Sequence, residues 1–170
     1  FHEDLNALNA LPMDVFPRAS EEAETIIEMC QKLIQQGNAY EVDGTVYFRV
    51  KSTPDYGQLS GYEQDVMYEL LAERGGDPTD EKKEDPLDFI LWQAAQPGEP
   101  TWESPWGPGR PGWHIECSAM ARRYLGDEFD LHGGGLDLIF PHHENEQAQS
   151  RAAGLGFARH WVHNGLLNFG

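Results

Sequence analysis

Cysteine is scarce in this sequence, and long apolar runs are missing. The two cysteines, Cys30 and Cys117, are too few for a disulfide scaffold in a chain of 170 residues. No apolar stretch is long enough to span a bilayer, and the polar start FHEDLNALNA is unlike a signal peptide. We therefore expect a cytoplasmic protein with no membrane partner.

Positive charge is also scarce. The 12 lysines and arginines are outnumbered by 29 aspartates and glutamates, the net charge is −17, and the last lysine is Lys83. Such a balance repels nucleic-acid phosphates, so the sequence excludes a basic patch that grips nucleic acid unaided. Any nucleic-acid partner needs contacts from another part of the protein.

Size and composition predict one core. With 39% hydrophobic residues and five tryptophans, the chain can bury one core and carry an insertion, but hardly two independent domains. The chain starts without methionine, and residues 1–11 form a short mixed segment. We expect this segment to be the end of a preceding unit.

The first half of the chain predicts helices and a β-hairpin. Ser20 is the expected N-cap of a helix that ends at Gly37, and its apolar face makes Cys30 a buried core thiol. Residues 39–42 and 45–50 flank Asp43-Gly44, the dipeptide of a tight hairpin turn. Further expectations are a weaker helix at 62–74, a solvated loop at 75–86, a short buried element at 87–92 and a turn-rich connector at 98–112. In that connector, Trp102 and Trp106 either cover the edge of the core or lie over a site.

The second half predicts an α/β unit with a parallel sheet. A helix from Trp113 ends at Gly126, a strand covers 129–132, a helix starts at Pro141, and another strand covers 157–162. This alternation favours parallel strands joined by right-handed crossovers. Ligands bind at the carboxyl ends of such strands, where His132, a glycine triplet at 133–135 and Asp137 follow.

Three side chains in this half form a candidate zinc site. Cys117, His142 and Glu146 offer sulfur, nitrogen and oxygen, and three protein ligands leave a coordination position open. His142 and Glu146 are four apart, so both project from one helical face. The alternative is a weak ion pair on an exposed helix, with His143 and Glu144 as ordinary surface residues. The motif HHENE is not the HExxH of metalloproteases.

Several long sequence motifs resemble those of a known family. They are GWHIECSAM, FDLHGGGLDLIFPHHENEQAQS and HWVHNGLLNFG, preceded by FPRASEE, YGQLSG and DPLDFILW. In this order, over essentially the whole chain, they resemble cysteinyl-tRNA synthetases, which are class I aminoacyl-tRNA synthetases. The resemblance implies one zinc ion bound by Cys117, His142 and Glu146, with a further cysteine from an N-terminal part.

The resemblance also implies an architecture and its missing parts. The fold is α/β, part of a Rossmann-like nucleotide-binding parallel sheet with a connective insertion of helices and a β-hairpin. Residues 1–12 end the first half of the catalytic core, 13–110 form the insertion, and 111–170 form the second half. The HIGH motif is expected before Phe1 and the KMSKS loop after Gly170, so the 170 residues alone should not activate an amino acid.

The resemblance further implies the reaction and its contacts. Cysteine and ATP, with magnesium, give cysteinyl-adenylate, and the acyl group then passes to tRNA-Cys through regions mostly outside this chain. Trp113 forms the floor of the amino-acid pocket; His132, Gly134 and Asp137 face the amino acid or the ribose, and His163 and Asn164 approach the nucleotide. The alternatives are core packing for Trp113 and a bond to backbone for His132. No general acid or base is assigned.

Zinc in this family selects its substrate by coordination. A thiolate binds zinc well and a hydroxyl binds it poorly, so the metal separates cysteine from serine without editing. Two other functions stay open: a ligase that joins cysteine to a sugar amine in mycothiol synthesis, and a non-enzymatic zinc-binding domain. The sequence does not give the oligomeric state.

Overall fold

The computed structural model describes residues 1–166, so the last four residues of the predicted second half lie outside it. Within these residues no helix is both long and apolar enough to cross a membrane. The helices are α1 (His2–Ala7), α2 (Ala23–Gln35), α3 (Gln64–Glu73), α4 (Trp113–Leu125) and α5 (Glu144–Ala152). The strands are β1 (Ala39–Val42), β2 (Thr45–Phe48), β3 (Phe89–Ala94), β4 (Gly109–Pro111), β5 (Phe129–Gly135) and β6 (Ala158–Asn164).

Helix α2 packs against α4 and the edge strand β1, but its start differs from the prediction. Ser20 is part of a 3-10 turn, Ala19–Glu21, and the α-helix begins only at Ala23. The reason is Glu22, whose buried carboxylate accepts hydrogen bonds from two side chains of α4 and fixes the chain there. Gly37 ends the helix with a φ of +78°, as expected, because glycine adopts this conformation without strain.

The first sheet is antiparallel, in the order β1-β2-β3-β4. Its hairpin is confirmed: Asp43 and Gly44 have φ angles of +51° and +81°, as a two-residue turn requires. Strand β2 ends at Phe48 instead of Val50, because the chain turns into a short 3-10 helix, Val50–Ser52. The short element predicted at 87–92 is the central strand β3.

One hydrophobic core joins the sheet to the second half of the chain. Phe48 and Phe89 stack at 4.8 Å, and Trp92 is fully buried between the sheet and its neighbours. Ile115 of α4 and Ala148 of α5 belong to the same cluster. Burial of each large side chain stabilises the fold by about 1.5–3 kcal/mol. Cys30 lies in this core, as predicted.

The loop at 75–86 is mostly exposed, as predicted, but it also contacts the hairpin. Tyr47 donates a hydrogen bond to Asp80 at 2.8 Å, and Arg49 pairs with Glu84 at 2.7 Å, so the loop is tied to the hairpin. Trp102 and Trp106 pack against the core, with Trp106 at 6.1 Å from Trp92 between ring centres. Of their two interpretations, covering the core edge is the one that these contacts support.

Strands β5 and β6 run parallel, which confirms the predicted arrangement of the second half. Their pairing extends from Phe129 opposite Ala158 to Gly135 opposite Asn164. The glycine triplet therefore lies within β5 and not in a loop after the strand, because its backbone pairs with the end of β6. The connection between the two strands runs through α5.

A kinked turn leads from β5 into α5. Leu136–Leu138 forms one turn of 3-10 helix, and Ile139–His143 follows with non-helical angles at Phe140. The chain is helical after that kink, so Pro141 occupies the first helical position, as predicted. Gly154 follows the end of α5 with a φ of +72°.

Candidate metal centre

The three predicted zinc ligands converge where α4 meets α5. Cys117 lies in the second turn of α4, and His142 and Glu146 lie on successive turns leading into α5. One ligand atom from each of the three lies within 4.8 Å of the others. The Nε2 atom of His142 is 2.5 Å from Oε1 of Glu146, which confirms that the two share one helical face.

Helix α5 is buried along its polar side chains, so the interpretation as an exposed ion pair is wrong. Every residue from Glu144 to Ser150 is buried. Buried polar groups need partners, and Gln149 donates hydrogen bonds to Ser118 at 2.6 Å and to the carbonyl of His114. Ser118 in turn donates to the carbonyl of Glu146 at 3.1 Å, which ties α4 to α5 beside the candidate ligands.

Glu146 is a fully buried carboxylate that faces two imidazoles. Burial alone would raise its pKa, but His132 and His142 outweigh this effect and lower the pKa to about 2. The imidazole nitrogens lie 3.0 and 2.5 Å from its oxygens, yet neither oxygen accepts a well-directed hydrogen bond. A buried anion without full hydrogen bonding is what a bound cation would compensate.

Cys117 is a thiol in the protein alone. Burial raises its pKa to about 12, and the negative charge of Glu146 adds to this shift. Metals bind the thiolate, so a cation at this site would displace the proton of Cys117. Cys30 contrasts with it: this thiol lies wholly in the apolar core, and burial raises its pKa further.

A second layer of histidines surrounds the candidate ligands. Nδ1 of His114 lies 2.8 Å from Nδ1 of His142, and burial lowers the pKa of His114 to about 3. A neutral imidazole behind a metal-binding imidazole fixes its tautomer and its orientation. His114 was not predicted as a site residue, although its position three residues before Cys117 on the same helix was a usable signal.

His143 is also buried, which corrects its interpretation as a surface residue. Its Nδ1 atom lies 2.7 Å from Nε2 of His163, and burial lowers its pKa to about 4. His163, predicted near the nucleotide, thus contacts a histidine of the turn before α5. His132 lies with its ring centre 4.7 Å from that of His143, next to Glu146 and not bonded to backbone as the alternative had it.

The remaining predicted site residues lie around this cluster. Trp113 is 58% exposed and stacks on His142 with ring centres 4.1 Å apart, so it is not a core residue. Trp113 and Asp137 both line a cavity of about 470 Å³ beside His142. Gly134 lies against the ring of His143, where a Cβ atom would come within 2.7 Å of Cε1. Packing against this ring is therefore sufficient to account for glycine at that position.

The predicted insertion holds the helix that carries Glu146. The carboxylate of Glu144 accepts hydrogen bonds from the backbone of Gly57 at 2.9 Å and of Ser60 at 2.8 Å. Tyr56 donates to Asn145 at 2.5 Å. These contacts were not predicted. They give the sequence motif YGQLSG a structural role, which is to hold α5.

Arg74, which directly follows α3, makes a similar contact on the other side. Its guanidinium donates to the carbonyl of Asp137 at 2.7 Å and to that of Phe140. Both carbonyls belong to the turn that leads to His142. Side chains and backbone from residues 56–74 therefore fix the chain before and after His142.

Several known proteins are similar to this chain over nearly its whole length. The cysteine–tRNA ligase of Geobacillus sp. (strain WCH70) is 58% identical over 169 residues, which are 99% of this chain and 35% of that protein. That of Streptomyces avermitilis is 57% identical over 164 residues, 96% of this chain and 34% of the relative. That of Desulforamulus reducens is 56% identical over 169 residues, 98% of this chain and 34% of the relative. The chain thus spans about a third of the length of these relatives.

The family assignment rests on more than these relatives. The family model described as tRNA synthetases class I (C), catalytic domain, matches residues 1–170. The mixed α/β fold with its parallel strand pair agrees with such a domain. With the whole chain matched and the sequence words in order, this protein belongs to the class I (C) tRNA synthetase catalytic-domain family.

Proposed function

We propose that this chain is part of the catalytic domain of a cysteine–tRNA ligase, and that Cys117, His142 and Glu146 hold a zinc ion in it. The observation that carries the proposal is the convergence of these three ligand atoms within 4.8 Å, in a chain of this family. The names of the relatives favour this function over a sugar-amine ligase or a non-enzymatic domain.

The side chains present fit zinc. They offer sulfur, nitrogen and oxygen, and the carboxylate of Glu146 is buried without a well-directed hydrogen bond. Nδ1 of His114 lies 2.8 Å from Nδ1 of His142. This contact holds the His142 ring in one orientation, with its other nitrogen available as a ligand. When bound, zinc would supply a soft Lewis acid for the thiolate of the substrate.

The surrounding residues would bind the substrates. Trp113 presents an exposed aromatic face beside His142, which suits a small amino acid, and Asp137 lies at the same cavity. His132 would contact the amino acid, and Gly134, Asp137 and His163 would contact ATP, which enters with magnesium. The chain would orient cysteine and ATP for in-line formation of cysteinyl-adenylate.

The wider organisation is part of the same proposal. Residues 13–110 form the connective insertion between 1–12 and 111–170, and tRNA-Cys binds mostly through other regions, because this chain carries a net charge of −17. Both cysteines are free thiols, which agrees with the cytoplasmic location that we propose.

Metal analysis of cysteine variants tests the zinc site. We expect Cys117→Ser to lose zinc and Cys30→Ala, which changes only the apolar core, to keep it. In the full-length protein, ATP–pyrophosphate exchange should proceed with cysteine and not with serine, and Cys117→Ser should abolish it. Full zinc content in Cys117→Ser would show that the ligand assignment is wrong. Exchange with other amino acids but not with cysteine would show that the substrate is wrong.

A further inference from the structure

The turn that leads from β5 to His142 has little apolar burial of its own. Its first part, Leu136–Leu138, contains no buried residue, and no side-chain hydrogen bond caps it. Apolar anchoring starts only at Phe140, which is fully buried and has its ring centre 6.3 Å from that of Tyr62. A segment with so little buried surface opens easily unless polar contacts hold it.

Arg74 supplies such contacts from a distant part of the chain. Its Nη1 atom donates to the carbonyl of Asp137 at 2.7 Å and to that of Phe140. The first carbonyl lies before the kink in this turn and the second lies at it. Hydrogen bonds from a charged donor are stronger than those between neutral groups. One guanidinium thus fixes the turn at two points, and its own backbone N–H is bonded to Leu70 at the end of α3.

The same turn forms one wall of the proposed substrate site. Arg74, Trp113, Asp137 and His142 all line the cavity of about 470 Å³. We propose that Arg74 is a positioning residue for cysteine binding, which acts through the turn that carries Asp137 and leads to His142. The inference rests on the proposed function, because it gives the end of α3 a share in the geometry of the cysteine site.

The charges around the cavity favour this role over direct binding of an anion. Among the described residues that line it, four aspartates face three cationic side chains, Arg74, Lys83 and Arg110. Such a balance does not attract a phosphate or a carboxylate. The two carbonyl groups, in contrast, already occupy Nη1 of Arg74. Arg74 is therefore suited to hold the backbone and not to bind the substrate itself.

Hydrogen–deuterium exchange of the full-length protein tests the positioning role without use of the reaction. We expect Arg74→Ala to speed deuterium uptake several-fold in a peptide that covers residues 136–143, and to leave uptake in α2 unchanged. Arg74→Lys should give an intermediate rate, because an ammonium keeps the charge but has a shorter reach and no planar fork.

Kinetics of cysteine-dependent ATP–pyrophosphate exchange test the link to the substrate. Arg74→Ala should raise the KM for cysteine about tenfold and change kcat by less than about threefold, because the wall of the site moves while no reacting group is lost. Arg74→Lys should recover part of this loss. A merely structural role would lower the amount of active enzyme, and with it kcat, but would leave KM unchanged.

The matched control is Arg122→Ala, which removes an exposed arginine of α4 whose partner is the surface residue Asp127. Neither deuterium uptake at 136–143 nor KM should change in it. Unchanged uptake in Arg74→Ala would overturn the positioning role, and faster uptake with an unchanged KM would overturn the link to cysteine. If the wild type showed no cysteine-dependent reaction, the proposed function would fail instead, and deuterium uptake would still decide whether Arg74 holds the turn.

Discussion

The two halves of this molecule bury opposite kinds of side chain, apolar in one and polar in the other. Around the antiparallel sheet, most fully buried side chains are apolar, as with Phe48, Leu91 and Trp92, and Asp88 is a charged exception. In α5, the residues from Glu144 to Ser150 are equally buried, yet Ala148 is the only apolar one among them. The first region is stabilised by the removal of apolar surface from water, and the second by specific polar contacts.

This difference shows which region supports the other. A polar helix gains little from burial, because each donor and acceptor must replace its water with a partner. The partners of α5 come from the segment Tyr56 to Ser60 and from Ser118 of α4. The apolar half therefore provides stability, and the polar half uses it to hold candidate ligands in place.

The largest effect should come from the apolar half. Phe48→Ala removes a fully buried ring that stacks on Phe89, and we expect a loss of about 3–5 kcal/mol in unfolding free energy. Urea unfolding measures this loss. The control Phe16→Ala truncates a ring that is 54% exposed and should cost far less. Equal losses for the two variants would mean that the sheet is not the source of stability.

A polar contact between the halves should have the next effect. Glu144→Ala leaves two backbone N–H groups of the Gly57–Ser60 loop without their acceptor, and we expect a loss of about 2–3 kcal/mol. Unfolding in urea gives the loss. The absorption spectrum of the cobalt(II)-substituted protein reports any shift of the candidate ligands Cys117, His142 and Glu146. Glu28→Ala, on the exposed face of α2, is the matched control. If both variants behave alike, the insertion does not hold α5.

Gly133 and Gly134 are neighbours, but only Gly134 is closely packed. Gly134→Ala would place a Cβ atom 2.7 Å from His143, and we expect a loss of about 1–2 kcal/mol from overpacking. Gly133→Ala meets nothing closer than 3.7 Å and should change stability by less than about 0.5 kcal/mol. Thermal unfolding of both variants measures the contrast, and a larger loss for Gly133→Ala would contradict this geometry.

The smallest effect concerns pH and the contact between α2 and α4. The hydrogen bond from Tyr124, assisted by Arg123, holds the pKa of Glu22 below its ordinary value of 4.5. The unfolded chain then binds a proton more readily, so this contact stabilises the fold above about pH 4.5 and is lost as pH falls through the lower, folded-state pKa. Stability should therefore decrease on acidification.

Glu22→Gln removes this titration and should reduce the difference in unfolding free energy between pH 7 and pH 4. Urea unfolding at the two pH values measures it. Glu28→Gln changes an exposed carboxylate of the same helix and should keep the wild-type difference. A Glu22→Gln variant with an unchanged pH dependence would show that Glu22 does not contribute in this way.

The predictable parts of the structure are those set by local sequence. Helix α4 has its predicted bounds because Gly126 stops it, and His142 meets Glu146 because they are one helical turn apart. The burial of Glu144 and His143 was not predictable in this way. Glu144 finds its partner in Gly57, 87 positions earlier, and no local pattern announces such a contact.

The bonds from Glu144 to the Gly57–Ser60 loop also limit how this site can be moved or rebuilt. A designer who transplanted residues 113–164 into another scaffold would carry over the candidate ligands but leave behind the backbone donors that hold their helix. The buried carboxylate of Glu144 would then need new partners, or the helix would shift. The site therefore cannot be transferred by itself, and its smallest transferable unit includes the Gly57–Ser60 loop.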